Sequence, residues 1–185
     1  RAAPGGLGAT KAGANYAASL QAALNAKAKG FSQVLWLDVA HAGIEEVGTM
    51  NVFFVFNDEI VTPALNSSIL AGGVRDSVLR MLREQGKKVS ERLVTIGELM
   101  TRHSQGKLLE AFGTGTAAVI SPIGEFQYGD KSIKINDQQW GPISSQLFEH
   151  LKGIQRGTIS DDFGWMKKLD DLCSRNCQAN EKVEG

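Results

Sequence analysis

Apolar positions near the start of the chain first follow helical spacing and then form a continuous run. Leu20 and Leu24 lie one turn apart, so we expect a helix that Asn15 caps and Gly30 ends. Residues 34–37 are all apolar and are bounded by turn residues. Such a run predicts a short strand that is buried on both faces.

The middle of the chain continues this succession of strands and helices. Residues 52–56 and 60–62 flank a polar turn and are rich in β-branched and aromatic side chains, which predicts two adjacent antiparallel strands. Apolar residues at helical spacing predict a helix over residues 74–85, and residues 89–94 predict another strand. A capping-box pattern at residues 95–98 predicts the start of a short helix.

Shorter apolar runs in the second half of the chain predict more strands and a last helix. We expect strands that join the same mixed sheet at residues 109–112, 117–121, 125–128 and 132–135. The apolar stripe of the last helix consists of Leu147, Phe148, Leu151 and Ile154. Residues 170–185 are polar and aperiodic, so we expect a mobile tail there. The elements together indicate an α/β protein of the mixed α+β kind.

Composition and charge exclude several classes of protein. With 185 residues, of which 42% are hydrophobic and 22% charged, the chain is long enough for one sizeable globular core. Twenty basic and twenty acidic residues cancel, so the charge pattern of a nucleic-acid-binding protein is absent. No apolar run approaches the ~18 residues of a membrane-spanning helix. We therefore expect neither a nucleic-acid nor a membrane partner, and a cytoplasmic location.

Cys173 and Cys177 are the two cysteines of the chain, and both lie in the polar tail. Two thiols do not make the disulfide framework of a secreted protein. No histidine is near them in sequence, so they lack the ligand pattern of a metal site. We interpret them as ordinary thiols and expect no metal, although a redox role for the pair stays open.

Lys11 has an unusual sequence neighbourhood for a lysine, because small side chains and the phenol of Tyr16 surround it. An amine that is partly desolvated loses its preference for the charged form, so it can attack an aldehyde and form a Schiff base. Such an amine can also carry a proton. Taken alone, the segment fits an ordinary solvated surface lysine better.

Two adjacent carboxylates, Glu45 and Glu46, come directly before the apolar run that predicts the strand at 52–56. A pair of glutamates at such a place is most often a solvated turn. If one of them were buried, it could hold a proton on a heteroaromatic nitrogen and make that ring an electron sink. Such a carboxylate would complement the chemistry of Lys11.

Two glycine-marked turns are candidate anion sites. Gly72 and Gly73 precede a predicted helix, where backbone amides and the helix dipole favour a phosphate. The turn at residues 113–116 has alternating glycine and threonine. Neither turn has the spacing of a Walker loop or a Rossmann turn. Helix capping explains the first turn equally well, and a tight connection between strands explains the second.

Four segments, taken in order, resemble a known family. They are KAGANYAASL from Lys11, EVGTMNVFFV from Glu46, SILAGGVRDS from Ser68 and FGTGTAAVISP from Phe112. In this combination the chain resembles the branched-chain aminotransferases, which are pyridoxal-phosphate enzymes of fold type IV. The resemblance covers approximately residues 1–165.

The resemblance implies a catalytic role for one residue and cofactor contacts for two more. Lys11 matches the lysine that forms the Schiff base with pyridoxal 5'-phosphate and then moves the proton during transamination. Tyr16 matches the tyrosine that hydrogen-bonds the phenolic oxygen of the cofactor. Glu46, rather than Glu45, matches the carboxylate that pairs with the pyridine nitrogen.

The resemblance also assigns the two glycine-marked turns. The backbone amides of Gly73 and Val74, together with Thr116, match the cradle of the cofactor phosphate. The amides of Thr116 and Ala117 match the groups that hold the carboxylate of the substrate. Where the family commonly has Leu-Pro-Gly-Val, this chain has the looser sequence Leu-Ala-Gly-Gly at residues 70–73.

The resemblance implies a domain organisation. Residues 1–169 match the large C-terminal domain of the family, in which a mixed sheet forms a pseudo-barrel surrounded by helices. Residues 170–185 match nothing in the family and are expected to be the tail. The family's small N-terminal domain, which supplies an arginine to the phosphate, is absent from the sequence. We therefore expect a fragment whose activity on its own is an open question.

The activity implied is reversible amino-group transfer between leucine, isoleucine or valine and 2-oxoglutarate. Glutamate and the branched-chain 2-oxo acids would be the other partners, and the family is built on homodimers. One alternative is a D-amino-acid aminotransferase or aminodeoxychorismate lyase of the same fold. Another is a truncated chain without catalysis that only binds the cofactor.

Overall fold

The computed structural model describes residues 1–167 and 169. The chain divides into two compact units, Arg1–Phe148 and Glu149–Gly185. The tail expected at residues 170–185, with both cysteines, lies outside the described residues. Within the described part of the chain, no helix has both the length and the apolar character needed to cross a membrane.

Helices and strands alternate along the described residues, as the sequence predicts. The helices are α1 (Gly13–Ala28), α2 (Gly73–Glu84), α3 (Ile96–Ser104) and α4 (Pro142–Arg156). The strands are β1 (Leu35–Leu37), β2 (Ile44–Val47), β3 (Met50–Phe56), β4 (Ile60–Thr62), β5 (Val89–Glu91), β6 (Leu108–Gly115), β7 (Val119–Pro122), β8 (Glu125–Tyr128) and β9 (Lys131–Lys134). A short 3-10 helix at Asn136–Gln138 precedes α4.

The main sheet is organised around β3. β2 and β4 pair with opposite ends of one edge of β3, while β6 runs along its other edge. β1, β5 and β7 extend the sheet beyond β2, β4 and β6 respectively. Only β4 and β5 pair in parallel, and α2 forms the crossover between them. The sheet is therefore mixed, as predicted.

The strand β3 supplies the centre of the core. Residues 52–56 are buried, and Phe53 stacks on Phe112 of β6 with ring centroids 5.2 Å apart. Phe54 contributes to a second apolar layer in contact with Phe126 of β8. Burial of an aromatic side chain of this size contributes about 1.5–3 kcal/mol. This core fixes β3 and, through its pairings, the strands on both of its edges.

β8 and β9 do not join the main sheet, so that part of the sequence prediction is wrong. They pair only with each other, and Gly129 in the connecting turn has a positive φ of 58°. A glycine adopts this conformation without strain, which allows the two strands to close into their own hairpin. β7 ends at Pro122, which has no amide hydrogen to continue a ladder.

β1 is an edge strand, whereas the sequence predicts a strand buried on both faces. It pairs only with β2, and each of its residues is half-buried. Periodicity cannot separate an apolar edge strand from a central one, because both give the same short run.

Helix α1 also differs from its prediction at its start. Ala12, not Asn15, is the N-cap, and Asn15 lies inside the helix as its buried residue. Leu20 and Leu24 are 62% and 61% exposed, so their stripe faces solvent in this chain. The predicted stop is confirmed, because Gly30 has a φ of 86° and donates its amide to a helix carbonyl.

In the second unit, the described residues show how α4 ends. Gly157 has a φ of 70°, and the amides of Thr158 and Ile159 both donate to the carbonyl of Gly153. Phe163 and Trp165 stack on each other with ring centroids 4.1 Å apart. These local contacts fold the segment after α4 back on itself.

Candidate functional site

Glu45 and Glu46 lie in strand β2, and both are buried. Their residues are 4% and 2% exposed, so the expectation that they form a solvated turn is wrong. Trp36 of β1 pairs with Glu46, while Leu37 pairs with Ile44, which leaves Glu45 as an extra residue. Such a bulge breaks the strict alternation of side chains along a strand. Two adjacent carboxylates can therefore both be buried.

Glu46 is held by a backbone amide and by a guanidinium. Its Oε1 accepts a 2.9 Å hydrogen bond from the amide of Leu70, and its Oε2 lies 3.0 Å from Nη1 of Arg1. Arg1 donates from the same nitrogen to the carbonyl of Ser68. The side chains of Arg1 and Glu46 are only 5% and 3% exposed, so the ion pair is shielded from water.

Burial raises the pKa of Glu46 above its ordinary value of 4.5. The Leu70 amide and the Arg1 guanidinium oppose this rise because both favour the carboxylate form. The neighbouring charge of Glu45 adds to the rise, while the charge of Lys11 opposes it. Lys11 and Glu46 are therefore within electrostatic reach of each other.

Glu45 has a less complete set of partners. Asn66 donates to its Oε1 at 3.4 Å, and its Oε2 is buried without a hydrogen-bond partner among the described residues. Composition and spacing do not separate Glu45 from Glu46, and only the family resemblance favours Glu46. Of the two carboxylates, Glu46 is therefore the one with a hydrogen-bond or ion-pair partner at each oxygen.

Lys11 lies at the end of a loop that several contacts fix. The amide of Ala9 donates to the carbonyl of Ser67, and Asn15 donates from Nδ2 to the carbonyls of Leu7 and Thr10. Asn15 therefore holds the loop instead of capping the helix. Lys11 itself is exposed, which agrees with the solvated lysine that the segment alone favours and not with a partly desolvated amine.

The same loop is in close contact with the segment that follows β4. A Cβ added to Gly8 would lie 2.5 Å from the Cα and the carbonyl oxygen of Ser68. Only glycine allows the two backbones to approach this closely. The loop before Lys11 is thereby fixed against residues 66–72.

Tyr16 lies in the first turns of α1 and is half-buried. Its carbonyl accepts a hydrogen bond from the hydroxyl of Ser19. No hydrogen bond within the described residues joins its phenol to Lys11 or Glu46. The structure thus places Tyr16 in the helix that begins just after Lys11, and no described residue pairs with its hydroxyl.

The N-terminus of α2 is not capped by any described side chain. Gly72 occupies the N-cap position. An added Cβ at Gly73 would meet nothing within 4 Å, so there is free space above the first turn. Uncapped amides at a helix N-terminus attract anions through hydrogen bonding and the helix dipole. Val74 follows in the same turn and is half-buried.

Thr116 and Ala117 are exposed residues of the turn that joins β6 to β7. The interpretation of this segment as a tight connection between strands is thus confirmed. Thr114, at the end of β6, is buried, and its hydroxyl has no hydrogen-bond partner in the described part of the chain. No described hydrogen bond brings Thr116 or Ala117 to Gly73.

Three groups at this site are absent from the set of site residues that the sequence predicts. Arg1 and the amide of Leu70 contact Glu46 directly, and Asn51 holds the carbonyl of Leu70. A backbone amide has no side-chain signature, and Arg1 is 45 residues before its partner in the chain. Asn51 does have one signal, because a polar residue at the start of a buried apolar strand is unusual.

Comparison with known proteins places the chain in a family. Residues 2–126 match the family model for amino-transferase class IV, so the chain belongs to that family. Over 173 residues the chain is 52% identical to branched-chain-amino-acid aminotransferase 2 of Bacillus subtilis (strain 168). This match covers 93% of the chain but 48% of the relative, so the chain spans about half the length of that protein.

Solved structures give the same result for the fold. A branched-chain amino acid aminotransferase of Escherichia coli matches with a TM-score of 0.75 and 31% identity, covering 91% of this chain and 53% of that chain. The branched-chain amino acid aminotransferase of Thermobaculum terrenum, in its PLP-form, matches with a TM-score of 0.66 and 30% identity over 82% of this chain and 46% of that chain. The predicted family and the mixed α+β fold of fold type IV are both confirmed.

Proposed function

We propose that the whole protein transfers amino groups between branched-chain L-amino acids and 2-oxoglutarate, with pyridoxal 5'-phosphate as its cofactor. One observation carries the proposal: the buried carboxylate of Glu46 accepts from the amide of Leu70, in the same segment, residues 66–72, against which the loop before Lys11 packs. The names of the relatives support the choice of amino acids, because they are branched-chain-amino-acid aminotransferases.

The residues present fit pyridoxal phosphate at its ring nitrogen and at its phosphate. Glu46 offers a carboxylate for the protonated pyridine nitrogen, and the uncapped start of α2, with free space at Gly73, offers amides for the phosphate. Lys11 supplies an amine, and its charge favours the ionised form of the same carboxylate. When bound, the cofactor would supply an aldehyde and a ring that withdraws electrons from the reacting carbon.

Glu46 and Arg1 would act together on the cofactor ring. The carboxylate of Glu46 would accept the hydrogen bond of the pyridinium, which requires Glu46 to be ionised. Arg1 favours that ionised form, because its guanidinium opposes the rise in the pKa of Glu46 caused by burial. Tyr16 would donate its phenolic hydrogen to the phenolic oxygen of the cofactor.

Lys11 would bind the cofactor covalently through its Nζ and, once released, carry a proton to and from the reacting carbon. The amides of Gly73 and Val74, with the hydroxyl of Thr116, would bind the phosphate. The amides of Thr116 and Ala117 would hold the substrate carboxylate. These assignments rest on the motifs and on the uncapped start of α2.

The activity of the isolated chain is a separate question from that of the whole protein. Lys11 and Thr116 are both exposed in it, so water has access to the amine and to part of the anion site. We infer that residues 1–169 are the larger domain of a longer protein, which would add a small N-terminal domain and a second identical subunit to close the site. The chain alone would then bind the cofactor with little or no turnover.

Covalent trapping tests cofactor binding by the chain. The chain is mixed with pyridoxal phosphate and reduced with borohydride, and the modified lysine is located by peptide mass spectrometry. We expect modification at Lys11, its loss in Lys11→Arg, and normal modification in the control Lys27→Arg, which removes another exposed lysine. Equal modification at Lys27, or none at Lys11, would contradict the proposal.

Turnover is measured on the protein expressed from its complete coding sequence. We expect glutamate to form from leucine and 2-oxoglutarate. Reaction with D-alanine in place of leucine would favour a D-amino-acid aminotransferase. Trapping at Lys11 without glutamate formation by either protein would leave only cofactor binding.

A further inference from the structure

The segment at residues 66–72 contacts or adjoins each part of the candidate site. The amide of Leu70 donates to Glu46, the carbonyl of Ser67 accepts from Ala9 in the loop before Lys11, and α2 begins directly after the segment. The carboxylate, the amine and the anion site therefore share one short stretch of backbone. Whatever fixes this stretch also fixes their relative positions.

Asn51 holds this stretch from the sheet. Its Nδ2 donates a 2.8 Å hydrogen bond to the carbonyl of Leu70, and its side chain is buried. Asn51 in β3 pairs directly with Glu46 in β2, so the two side chains lie on the same face of the sheet. Leu70 is thereby held at both ends, its carbonyl by Asn51 and its amide by Glu46.

Asn51 is also in tight contact with the start of α2. A Cβ added to Gly72, the N-cap, would overlap Oδ1 of Asn51. The next atoms it would meet are Cγ of Asn51 at 3.4 Å and Cβ of Arg75 at 3.7 Å, and neither is a severe clash. The absence of a side chain at Gly72 is therefore required by one atom, which belongs to Asn51.

We propose that Asn51 is a positioning residue that fixes the distance between the Glu46 carboxylate and the N-terminus of α2. It acts through Leu70 and Gly72 and does not itself touch the cofactor. The inference rests on the proposed function, in which the pyridine nitrogen and the phosphate belong to one small ligand, with the phosphate on a short arm of the ring. Such a ligand covers only a narrow range of spacings between the two groups, so it gains from both anchors only if their spacing matches it.

The contact with Gly72 is tested by a double-mutant cycle of Asn51→Ala and Gly72→Ala. The measurement is hydrogen exchange of the Leu70 amide in the chain without cofactor. We expect Gly72→Ala to accelerate exchange about tenfold when Asn51 is present and less than about twofold when it is replaced by alanine. Equal acceleration in both backgrounds would overturn the proposed contact. Gly97→Ala is the control, because its added Cβ would meet only Thr95 Oγ1 at 3.8 Å.

The positioning role is tested by comparing two ligands, pyridoxal phosphate and pyridoxal, whose only difference is the phosphate. Binding is followed by absorbance in the wild-type chain and in Asn51→Ala. We expect the preference for the phosphorylated ligand to fall about tenfold in the variant, because the two anchors no longer act together. If Asn51 had a purely structural role, the variant would bind both ligands more weakly by the same factor, and the preference would not change. An unchanged preference would therefore overturn the proposal.

The two measurements also separate this inference from the proposed function. If the wild-type chain binds neither ligand, both the proposed cofactor and the positioning role are refuted. Hydrogen exchange of the Leu70 amide still tests the contact between Asn51 and Gly72. If Asn51→Ala does not fold, Gly72→Ala provides the same ligand comparison with Asn51 retained. An unchanged phosphate preference in folded Gly72→Ala would then overturn the proposal.

Discussion

Replacing Arg1 by methionine should destabilise the folded chain in a manner that depends on pH. The substitution keeps a long side chain but leaves the buried Glu46 carboxylate without its guanidinium partner. Breaking a buried ion pair by removing one partner costs about 3–5 kcal/mol. Because the Leu70 amide still holds Glu46, we expect the lower end, about 3 kcal/mol near neutral pH.

The expected direction with pH follows from the pKa of Glu46. Burial raises this pKa above 4.5, so the folded state binds the proton more tightly than the unfolded state does. The free energy of unfolding therefore falls as the pH rises from the pKa of Glu46 in the unfolded state to its higher pKa in the folded state. Losing Arg1 raises the folded pKa further, which extends the interval upward. The variant should lose progressively more stability towards neutral pH.

The assay is urea unfolding of both proteins at a series of pH values from about 4 to 8. Near pH 4 the expected loss is only about 1 kcal/mol, since protonated Glu46 no longer needs a charged partner and only the hydrogen bond from Arg1 to Ser68 is missing. As a control, the Arg1→Met substitution is repeated in Glu46→Gln. There the loss should be small at every pH, because no carboxylate is left unpaired.

A loss of stability that is equal at pH 4 and pH 7 would refute this reasoning. So would an equal loss when Arg1→Met is made in the wild-type chain and in the Glu46→Gln variant. Either result would mean that Arg1 contributes mainly by packing and not through the charge of Glu46.

Three further substitutions test the packing around the site. Phe53→Ala removes a fully buried ring that stacks on β6, and urea unfolding should show a loss of about 3–5 kcal/mol. Glu110→Ala removes a buried carboxylate that accepts hydrogen bonds from the amides of Ile143 and Ser144 at the start of α4. We expect the free energy of unfolding to fall by about 3 kcal/mol in the same assay, and a fall of less than about 1 kcal/mol would contradict this prediction. Gly8→Ala forces the loop before Lys11 away from backbone at residue 68, so borohydride trapping at Lys11 should fall relative to Gly97→Ala.

Local patterns predict much of the fold because local physics decides those elements. The β3–β4 hairpin follows from two apolar arms around a polar turn, and both strands are found. The start of α3 follows from its capping box, in which the hydroxyl of Thr95 accepts from the amide of Glu98. In each case, the residues that determine the element are a few positions apart.

The remaining features depend on residues that are distant in sequence. Asparagine is a common helix-capping residue, but Asn15 instead donates hydrogen bonds to two carbonyls of the loop before Lys11. A sequence pattern does not reveal these contacts. The burial of Glu45 and Glu46 depends on a bulge opposite β1 and on Arg1. Motif resemblance identifies Glu46, whereas its contacts with Arg1 and Leu70 appear only in the folded chain.

The close contact between the Lys11 loop and residues 66–72 has a consequence for the order of folding. Gly5 and Ser67, which join the same two segments by a hydrogen bond, are 62 positions apart in the chain. Contacts between such distant residues form only after the intervening chain has closed, which is slow relative to local structure. During synthesis the lysine would emerge from the ribosome well before residues 66–72. A nascent chain would therefore carry the amine for a time without the contacts that place it near its carboxylate.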